Sequence, residues 1–139
     1  SAGTDFQWRG VVHSFDGSAE TMQMLCSQGF YIGLNGCSLK TDMNIAVAQA
    51  VPLQHLLIET DGPWCDVRKT HAGYSFVKTK FESKKEKRFE RGKCVKNRTE
   101  PCHLVQILEI VAGIKDRDVH EIAAATTRNA LALFAGVKL

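Results

Sequence analysis

A short apolar run that ends in two carboxylates constrains the fold of this chain more than any other feature. Leu56, Leu57 and Ile58 are consecutive apolar residues, and Glu59 and Asp61 follow them just before a Gly-Pro pair. Such a run is typical of a parallel strand that is buried on both faces. In α/β enzymes the chemistry lies at the carboxyl ends of such strands, so Asp61 is a candidate functional residue.

A second strand end repeats the arrangement near the start of the chain. Residues 8–13 predict a strand that ends in His13, and residues 14–17 form the loop behind it. An imidazole and a carboxylate at one edge of a sheet predict a divalent-metal site, because Mg²⁺, Mn²⁺ and Zn²⁺ accept these ligands. His13 and Asp61 alone are too few ligands to complete such a site.

Strand and helix signals alternate along the chain. Three strands are predicted, at 8–13, 30–34 and 55–60. Ser18 caps a helix that ends at Gly29, and Thr41 or Asp42 caps a second helix that runs to Ala50. This alternation predicts an α/β fold with parallel strands and right-handed crossovers.

The carboxyl-terminal third predicts helices only. Pro101 opens a helix that Gly113 ends, with Leu104 and Leu108 on its core face together with Ile107 and Val111. Met22 and Leu25 are the corresponding core residues of the first helix. Asp116 or Asp118 starts another helix, and Thr126 or Thr127 caps a last one through Phe134.

Residues 62–100 form a long loop with little periodicity, and its basic part is residues 78–98. That basic segment holds ten Lys or Arg and three Glu, a net charge of +7, while the whole chain carries +3. A basic block of this kind indicates a phosphate-rich partner, and a solvated loop is the alternative.

Composition and cysteine count bound the class of protein. A chain of 139 residues with 44% hydrophobic residues is long enough for one domain. No apolar run approaches the roughly 18 residues of a membrane span, and no leader opens the chain, so neither secretion nor membrane insertion is expected. Five cysteines without a CxxC pair predict reduced intracellular thiols rather than a disulfide framework. A zinc cluster is the alternative, drawn from Cys65, His71, Cys94, Cys102 and His103.

Six sequence motifs carry a resemblance to a known family. They are GVVHSFDG (10–17), YIGLNG (31–36), CSLKT (37–41), IETDGPW (58–64), THAG (70–73) and EPCH (100–103). In this order they resemble the TatD family of metal-dependent deoxyribonucleases, and the eukaryotic branch most closely. The resemblance runs from about Trp8 to the end of the chain.

The resemblance implies a TIM-type barrel, of which residues 1–139 are the last three strand-helix units within a single domain. It implies that His13 and Asp61 are metal ligands, and that Asp61 also accepts or orients the proton of the attacking water. The family's remaining ligands, an HxH pair, a Glu and a further His, have no counterpart here. Residues 98–101 read RTEP where the family has an RNEP-type motif, so an amide is lost.

Further site residues follow from position on the same rim or loop. Asn35 and Lys40 can contact phosphate, although a turn role for Asn35 and a solvated Lys40 are equally open. Trp64 and His71 can stack on bases, but for Trp64 half-buried packing is the favoured interpretation. Arg98 is a further substrate-binding candidate. Glu59 either supports the metal ligands or forms an ion pair with Arg98, and Glu100 is a second candidate for such support.

The function implied by the resemblance is hydrolysis of DNA phosphodiester bonds with a divalent ion, Mg²⁺ first and Mn²⁺ or Zn²⁺ as alternatives. A nucleic-acid-binding fragment without catalysis, or an amidohydrolase-type enzyme acting on a small molecule, are the rival interpretations. We expect DNA as the partner, a nuclear or cytoplasmic location, no membrane and no obligate protein partner. Open sheet edges predict self-association of this chain.

Overall fold

A three-stranded parallel sheet forms the centre of the protein. The computed structural model describes residues 9–135, and the sheet order is β1 (Val11–Val12), β2 (Tyr31–Leu34), β3 (Leu56–Ile58). Ile32 of β2 is in register with a residue of β1 on one side and of β3 on the other. The carboxyl ends of the strands therefore meet at one edge, and the predicted α/β class is confirmed. The predicted start of the first strand at Trp8 lies outside the described residues.

Four helices pack on this sheet: α1 (Ala19–Ser27), α2 (Asp42–Ala50), α3 (Leu104–Ile114) and α4 (Val119–Leu133). Each helix contacts the next, α1 lies against β2, and α3 and α4 lie against β3. The hydroxyls of Ser18 and Thr41 accept hydrogen bonds from backbone amides in the first turns of α1 and α2. Both predicted N-caps are thus confirmed. No helix within residues 9–135 is long and apolar enough to cross a membrane.

The prediction of two separate helices over 116–134 is wrong, because α4 is continuous from its N-cap Asp118. Thr126 caps nothing; its hydroxyl donates to the Ile122 carbonyl at 2.9 Å inside the helix. Further along the helix, the Asn129 amide donates to the carbonyls of Leu53 and Leu56, at 2.7 and 2.8 Å. These bonds fasten α4 to the start of β3.

The core lies where the sheet meets the helices. Its largest fully buried side chains are Met22, Ile32, Leu34, Leu39, Leu56, Ile110 and Ile122. Leu104 was expected in the core but is 36% exposed, and with Leu108 it lines an apolar cleft of about 400 Å³. The cleft lies between β3, α3 and α4, and β3 is an edge strand with no further strand paired to it among the described residues.

The long loop holds short 3₁₀ turns and a separate parallel pair, β4 (Ser83–Lys84) and β5 (Cys94–Val95). Glu109 of α3 holds the start of the basic segment. Its carboxylate accepts hydrogen bonds from the backbone amides of Lys78 and Thr79, at 2.8 and 3.0 Å, and from the Thr79 hydroxyl at 2.5 Å. The segment is therefore tied to a core helix at one end.

Thr99 and Thr126 give a matched test of buried hydroxyls. Each residue is 6% exposed, but the Thr99 hydroxyl has no hydrogen-bond partner among the described residues, whereas the Thr126 hydroxyl is bonded. Thr99→Val should leave the free energy of unfolding unchanged or raise it by about 1 kcal/mol, and Thr126→Val should lower it by about 0.5–1.5 kcal/mol. Urea unfolding measures both. Equal losses in the two variants would contradict the assignment.

Glu109 should make stability depend on pH. Burial alone would raise the pKa of Glu109, but the hydrogen bonds from Thr79 and Lys78 outweigh it and lower the pKa below its ordinary value of 4.5. Its contribution is therefore complete above that value and is lost as the pH falls through the lowered pKa.

Glu109→Gln should cost about 1–2 kcal/mol at neutral pH, and the difference from the parent should shrink towards about pH 3. Urea unfolding at both pH values measures this. Glu121→Gln is the matched control, because Glu121 lies on α4 and its ion pair with Arg117, just before that helix, is exposed. A Glu109→Gln cost that does not change with pH would contradict the role of the carboxylate.

Candidate functional site

The carboxyl ends of the three strands bring His13, Asn35, Glu59 and Asp61 together. His13 directly follows β1, Asn35 follows β2, and Glu59 follows β3 with Asp61 two residues later. The parallel register places these positions at the same edge. All four were predicted at this rim from sequence.

One carboxylate oxygen joins the three strand ends. Glu59 Oε1 accepts hydrogen bonds from His13 Nδ1 at 2.7 Å, the Ser14 amide at 2.7 Å and Asn35 Nδ2 at 3.0 Å. The alternative pairing of Glu59 with Arg98 is wrong, because Arg98 pairs with Glu86 at 3.3 Å. Glu59 supports the rim.

Asn35 is fully buried, and its side chain is used inside the protein. Nδ2 also donates to the Ser14 hydroxyl at 2.5 Å, and Oδ1 accepts from the Cys37 amide at 2.9 Å. The phosphate contact predicted for Asn35 is therefore not supported. Its amide positions Glu59 and Ser14 instead.

His13 and Asp61 are spaced as two ligands of one ion. His13 Nε2 lies 3.3 Å from Asp61 Oδ1, and ligand atoms about 2.1 Å from one ion lie roughly 3.0–3.4 Å apart. The Nδ1–H of His13 is held by Glu59, the usual arrangement of a metal-binding histidine. The rim residues thus fit a divalent ion, with Nε2 and the Asp61 carboxylate facing it.

Without an ion, His13 holds a proton more tightly than usual. The hydrogen bond to Glu59, then the charges of Glu59 and Asp61, raise the pKa of His13 above its ordinary value of 6.5. Its side chain is 59% exposed and that of Asp61 30%. His13 and Asp61 would therefore both be accessible to a divalent ion, which the imidazole would bind in its neutral form.

Two rim residues have unusual backbone conformations. Ser14 and Asp61 both have a φ of +55°, a left-handed value that costs residues other than glycine about 1–3 kcal/mol. Ser14 directly follows His13, and Asp61 lies two residues after Glu59, so both residues lie at the edge where the strands end. Such strain is common at functional sites, where it aims a group that an extended chain would turn away.

A disulfide joins Cys37 and Cys65 behind the rim. The expectation that all the thiols are reduced is therefore wrong for this pair, while Cys26, Cys94 and Cys102 are free. The two partners are 28 residues apart and meet because the loops after β2 and β3 meet. Gly36 permits the approach, since a Cβ there would overlap the Cys65 carbonyl.

Lys40, Trp64 and His71 share a small cleft of about 330 Å³ beside this disulfide. Trp64 is 70% exposed, so the half-buried packing favoured for it is wrong. Burial, then the charges of Lys40 and Arg68, lower the pKa of His71. The cleft thus offers a cation, an exposed indole and a neutral imidazole.

A larger cleft of about 670 Å³ lies between the basic segment and α3, and we call it the basic cleft. Five cations line it: Arg68, Lys69, Lys80, Lys96 and Arg98. Within residues 9–135, glutamates of the segment itself pair with Lys84, Lys93 and Arg98. Arg68 of the cleft also pairs with Asp66, so Lys69, Lys80 and Lys96 are the cleft cations without an ion pair among the described residues.

Glu100 lies away from the rim. Its amide donates to His103 Nδ1 at 2.9 Å, and its carboxylate lies near Cys94. Burial first, and then Glu100 and Cys102, raise the pKa of the Cys94 thiol to about 12. Among the described contacts none joins Glu100 to the rim, so the support of metal ligands predicted for it is not observed.

Sequence reasoning gave Ser14 no role, and it placed Lys80 and Lys96 in the basic segment without predicting that they share a cleft. Ser14 contributes its backbone amide, which no residue type signals, and the two lysines are separated by sixteen positions and meet only in the fold. The disulfide partners were missed for the same reason. Only their positions in loops that follow adjacent strands could have suggested proximity.

Over most of its length the chain is similar to known proteins. The family described as TatD related DNase matches residues 2–135. Deoxyribonuclease Tat-D of Schizosaccharomyces pombe is 46% identical over 127 residues, which cover 90% of this chain and 41% of that protein. A 3'-5' ssDNA/RNA exonuclease TatD of Erwinia amylovora is 30% identical, covering 89% and 41%.

A solved structure gives the same result for the fold. The hydrolase TatD family protein of Entamoeba histolytica superposes with a TM-score of 0.88 at 34% identity, over 91% of this chain and 42% of that one. The predicted barrel-type α/β fold is thus confirmed for a part of the barrel, and the chain spans about two-fifths of the length of these relatives. Family membership implies a divalent metal. The chain belongs to the TatD-related DNase family.

Proposed function

We propose that this chain is the carboxyl-terminal part of a metal-dependent deoxyribonuclease that hydrolyses phosphodiester bonds of DNA. The observation that carries the proposal is the convergence of His13, Glu59 and Asp61 at the strand ends, with 3.3 Å between His13 Nε2 and Asp61 Oδ1. An amidohydrolase-type reaction on a small molecule would use the same rim, but it gives no reason for a basic cleft beside it.

His13 and Asp61 would hold the ion, and Glu59 would keep the imidazole in the tautomer whose Nε2 faces it. When bound, a divalent ion supplies Lewis-acid stabilisation of phosphate charge and a more acidic attacking water. The second oxygen of Asp61 would accept or orient that water's proton. We propose Mg²⁺ as the native ion, with Mn²⁺ or Zn²⁺ as the alternatives that an imidazole ligand also suits.

DNA would approach through the two clefts. Lys80 and Lys96 in the basic cleft can neutralise backbone phosphates, and Lys40 can do the same nearer the rim. The exposed indole of Trp64 offers a stacking surface for an unpaired base, worth about 1–3 kcal/mol per base. This combination favours single-stranded or frayed DNA over an intact duplex.

Activity is proposed for the full-length protein rather than for this chain alone. Two metal ligands leave most coordination positions to water, so this chain should bind Mg²⁺ weakly and show no robust nuclease activity. Its open apolar cleft at β3 favours self-association. A nuclear or cytoplasmic location remains our proposal and rests on the DNA substrate, because the Cys37–Cys65 disulfide weakens the argument from reduced thiols.

His13→Ala and Asp61→Ala in the full-length protein should each lower kcat/KM on single-stranded DNA by about a hundredfold or more, because each removes a metal ligand. Turnover at saturating Mg²⁺ and at saturating Mn²⁺ measures the loss. His120→Ala is the matched control, since His120 is exposed on α4, outside the clefts and the rim. Circular dichroism checks that the variants fold.

Near-normal turnover in both variants would overturn the assignment. A parent enzyme that turns over small esters but not DNA would instead favour the amidohydrolase-type alternative.

Lys80→Gln with Lys96→Gln should weaken single-stranded DNA binding and flatten its dependence on salt. Each phosphate contact contributes about −0.7 to the log–log slope for single strands, so the slope should lose about 1.4. Fluorescence anisotropy over a range of salt concentrations measures it. Arg128→Gln, which removes an exposed cation from α4, should leave the slope unchanged. An unchanged slope in the double variant would show that the basic cleft does not contact DNA.

A further inference from the structure

A second cluster of metal-ligating side chains lies at the basic cleft, which two of its three members, Cys94 and His103, line. Cys94 is on β5, and Cys102 and His103 are in the short 3₁₀ turn that leads into α3. Their ligand atoms all lie within 4.8 Å of one another. Neither cysteine takes part in a disulfide. Nothing in the proposed DNA chemistry uses these three residues.

The spacing of the three groups matches a tetrahedral zinc site. The Sγ atoms of Cys94 and Cys102 are 3.9 Å apart, and Cys102 Sγ lies 3.8 Å from His103 Nδ1. With Zn–S of about 2.3 Å and Zn–N of about 2.0 Å, tetrahedral ligand atoms lie roughly 3.5–3.8 Å apart. The observed distances therefore need only a small contraction to enclose an ion.

The surroundings leave room for a complete ligand set. Cys94 and His103 are half-buried and Cys102 is exposed, so an ion can enter from solvent. The Glu100 carboxylate lies beside Cys94 and can supply a fourth ligand, as can water. His103 Nδ1 now accepts the Glu100 amide proton at 2.9 Å, and this hydrogen bond is exchanged for the metal bond if Nδ1 is the ligand.

We propose that Cys94, Cys102 and His103 form a second metal site, distinct from the rim, that takes a thiolate-preferring divalent ion such as Zn²⁺. Two thiols each lose a proton on binding, and the resulting thiolates neutralise the ion's charge. Thiolate ligands select Zn²⁺ over Mg²⁺, so the site does not compete with the rim for Mg²⁺.

Such a site would clamp the basic segment to the body of the protein. Glu109 binds the start of the basic segment, and Cys94 lies towards the other end of that segment. Cys102 and His103 are in the 3₁₀ turn that leads into α3, the helix that carries Glu109. An ion at this site would therefore attach the end of the basic segment to the start of α3, while Glu109 already attaches the beginning of the segment to the same helix. This structural role is independent of the proposed nuclease activity.

Titration of the full chain with Co²⁺, a spectroscopic substitute for Zn²⁺, tests the proposal. One equivalent should produce a thiolate-to-cobalt charge-transfer band and the intense visible bands of tetrahedral cobalt, and Zn²⁺ should abolish both. Cys94→Ser with Cys102→Ser should lose the bands. The matched control Cys26→Ser, which removes a free cysteine of α1, should keep them.

A second measurement needs no variant. Zn²⁺ should slow the alkylation of Cys94 and Cys102 by about tenfold or more, because the metal-bound sulfur is a poor nucleophile, and it should leave the rate at Cys26 unchanged. Mass spectrometry of the peptides measures each rate. Absence of the charge-transfer band, its persistence in the double variant, or equal alkylation with and without Zn²⁺ would overturn the site. None of these readouts depends on DNA hydrolysis.

Discussion

The carboxylate of Glu59 is the interaction on which the arrangement of the rim depends. One of its oxygens accepts three hydrogen bonds from the ends of two strands: from His13 and Ser14 after β1, and from Asn35 after β2. Glu59 itself follows β3, so one atom fastens all three strands at the edge where the chemistry is proposed. Gly33 makes room for it, because a Cβ at that position of β2 would collide with the Glu59 carboxylate. The glycine in the middle of β2 is therefore explained by the space that the Glu59 carboxylate needs, and not by a requirement of the sheet itself.

This shared oxygen orients the rim side chains through bonds within the protein. The buried Asn35 amide has every polar group occupied, and His13 is held at Nδ1, so the orientation of Nε2 towards Asp61 is set by the protein. The left-handed backbones of Ser14 and Asp61 cost energy that the surrounding strands and the adjacent disulfide must offset. A site prepared in this way loses little further freedom when it binds a metal or a substrate.

Elements governed by local chemistry were predictable from the sequence, and elements governed by distant contacts were not. Ser18 and Thr41 cap their own helices, and the apolar run of β3 gives the strand directly. The continuity of α4 was missed because Thr126 bonds within the helix and Asn129 bonds to a strand far away in sequence. The rim residues were predicted because parallel strands end at one edge, but their hydrogen bonds were not, since Glu59 could not be assigned a partner from spacing alone.

The basic segment shows how a part of the chain without a core can still be positioned. No residue between 78 and 98 is buried, so little apolar packing holds this stretch. Its surface ion pairs, such as Lys84 with Glu90, contribute little. What remains are connections at its ends: Glu109 binds the amides at the start, and the Thr99 amide bonds to the Pro63 carbonyl just beyond the end. The β4–β5 pairing and the contact of the Phe81 ring with His103 add to these connections, and a metal ion held by Cys94, Cys102 and His103 would join the same strand pair to the turn before α3.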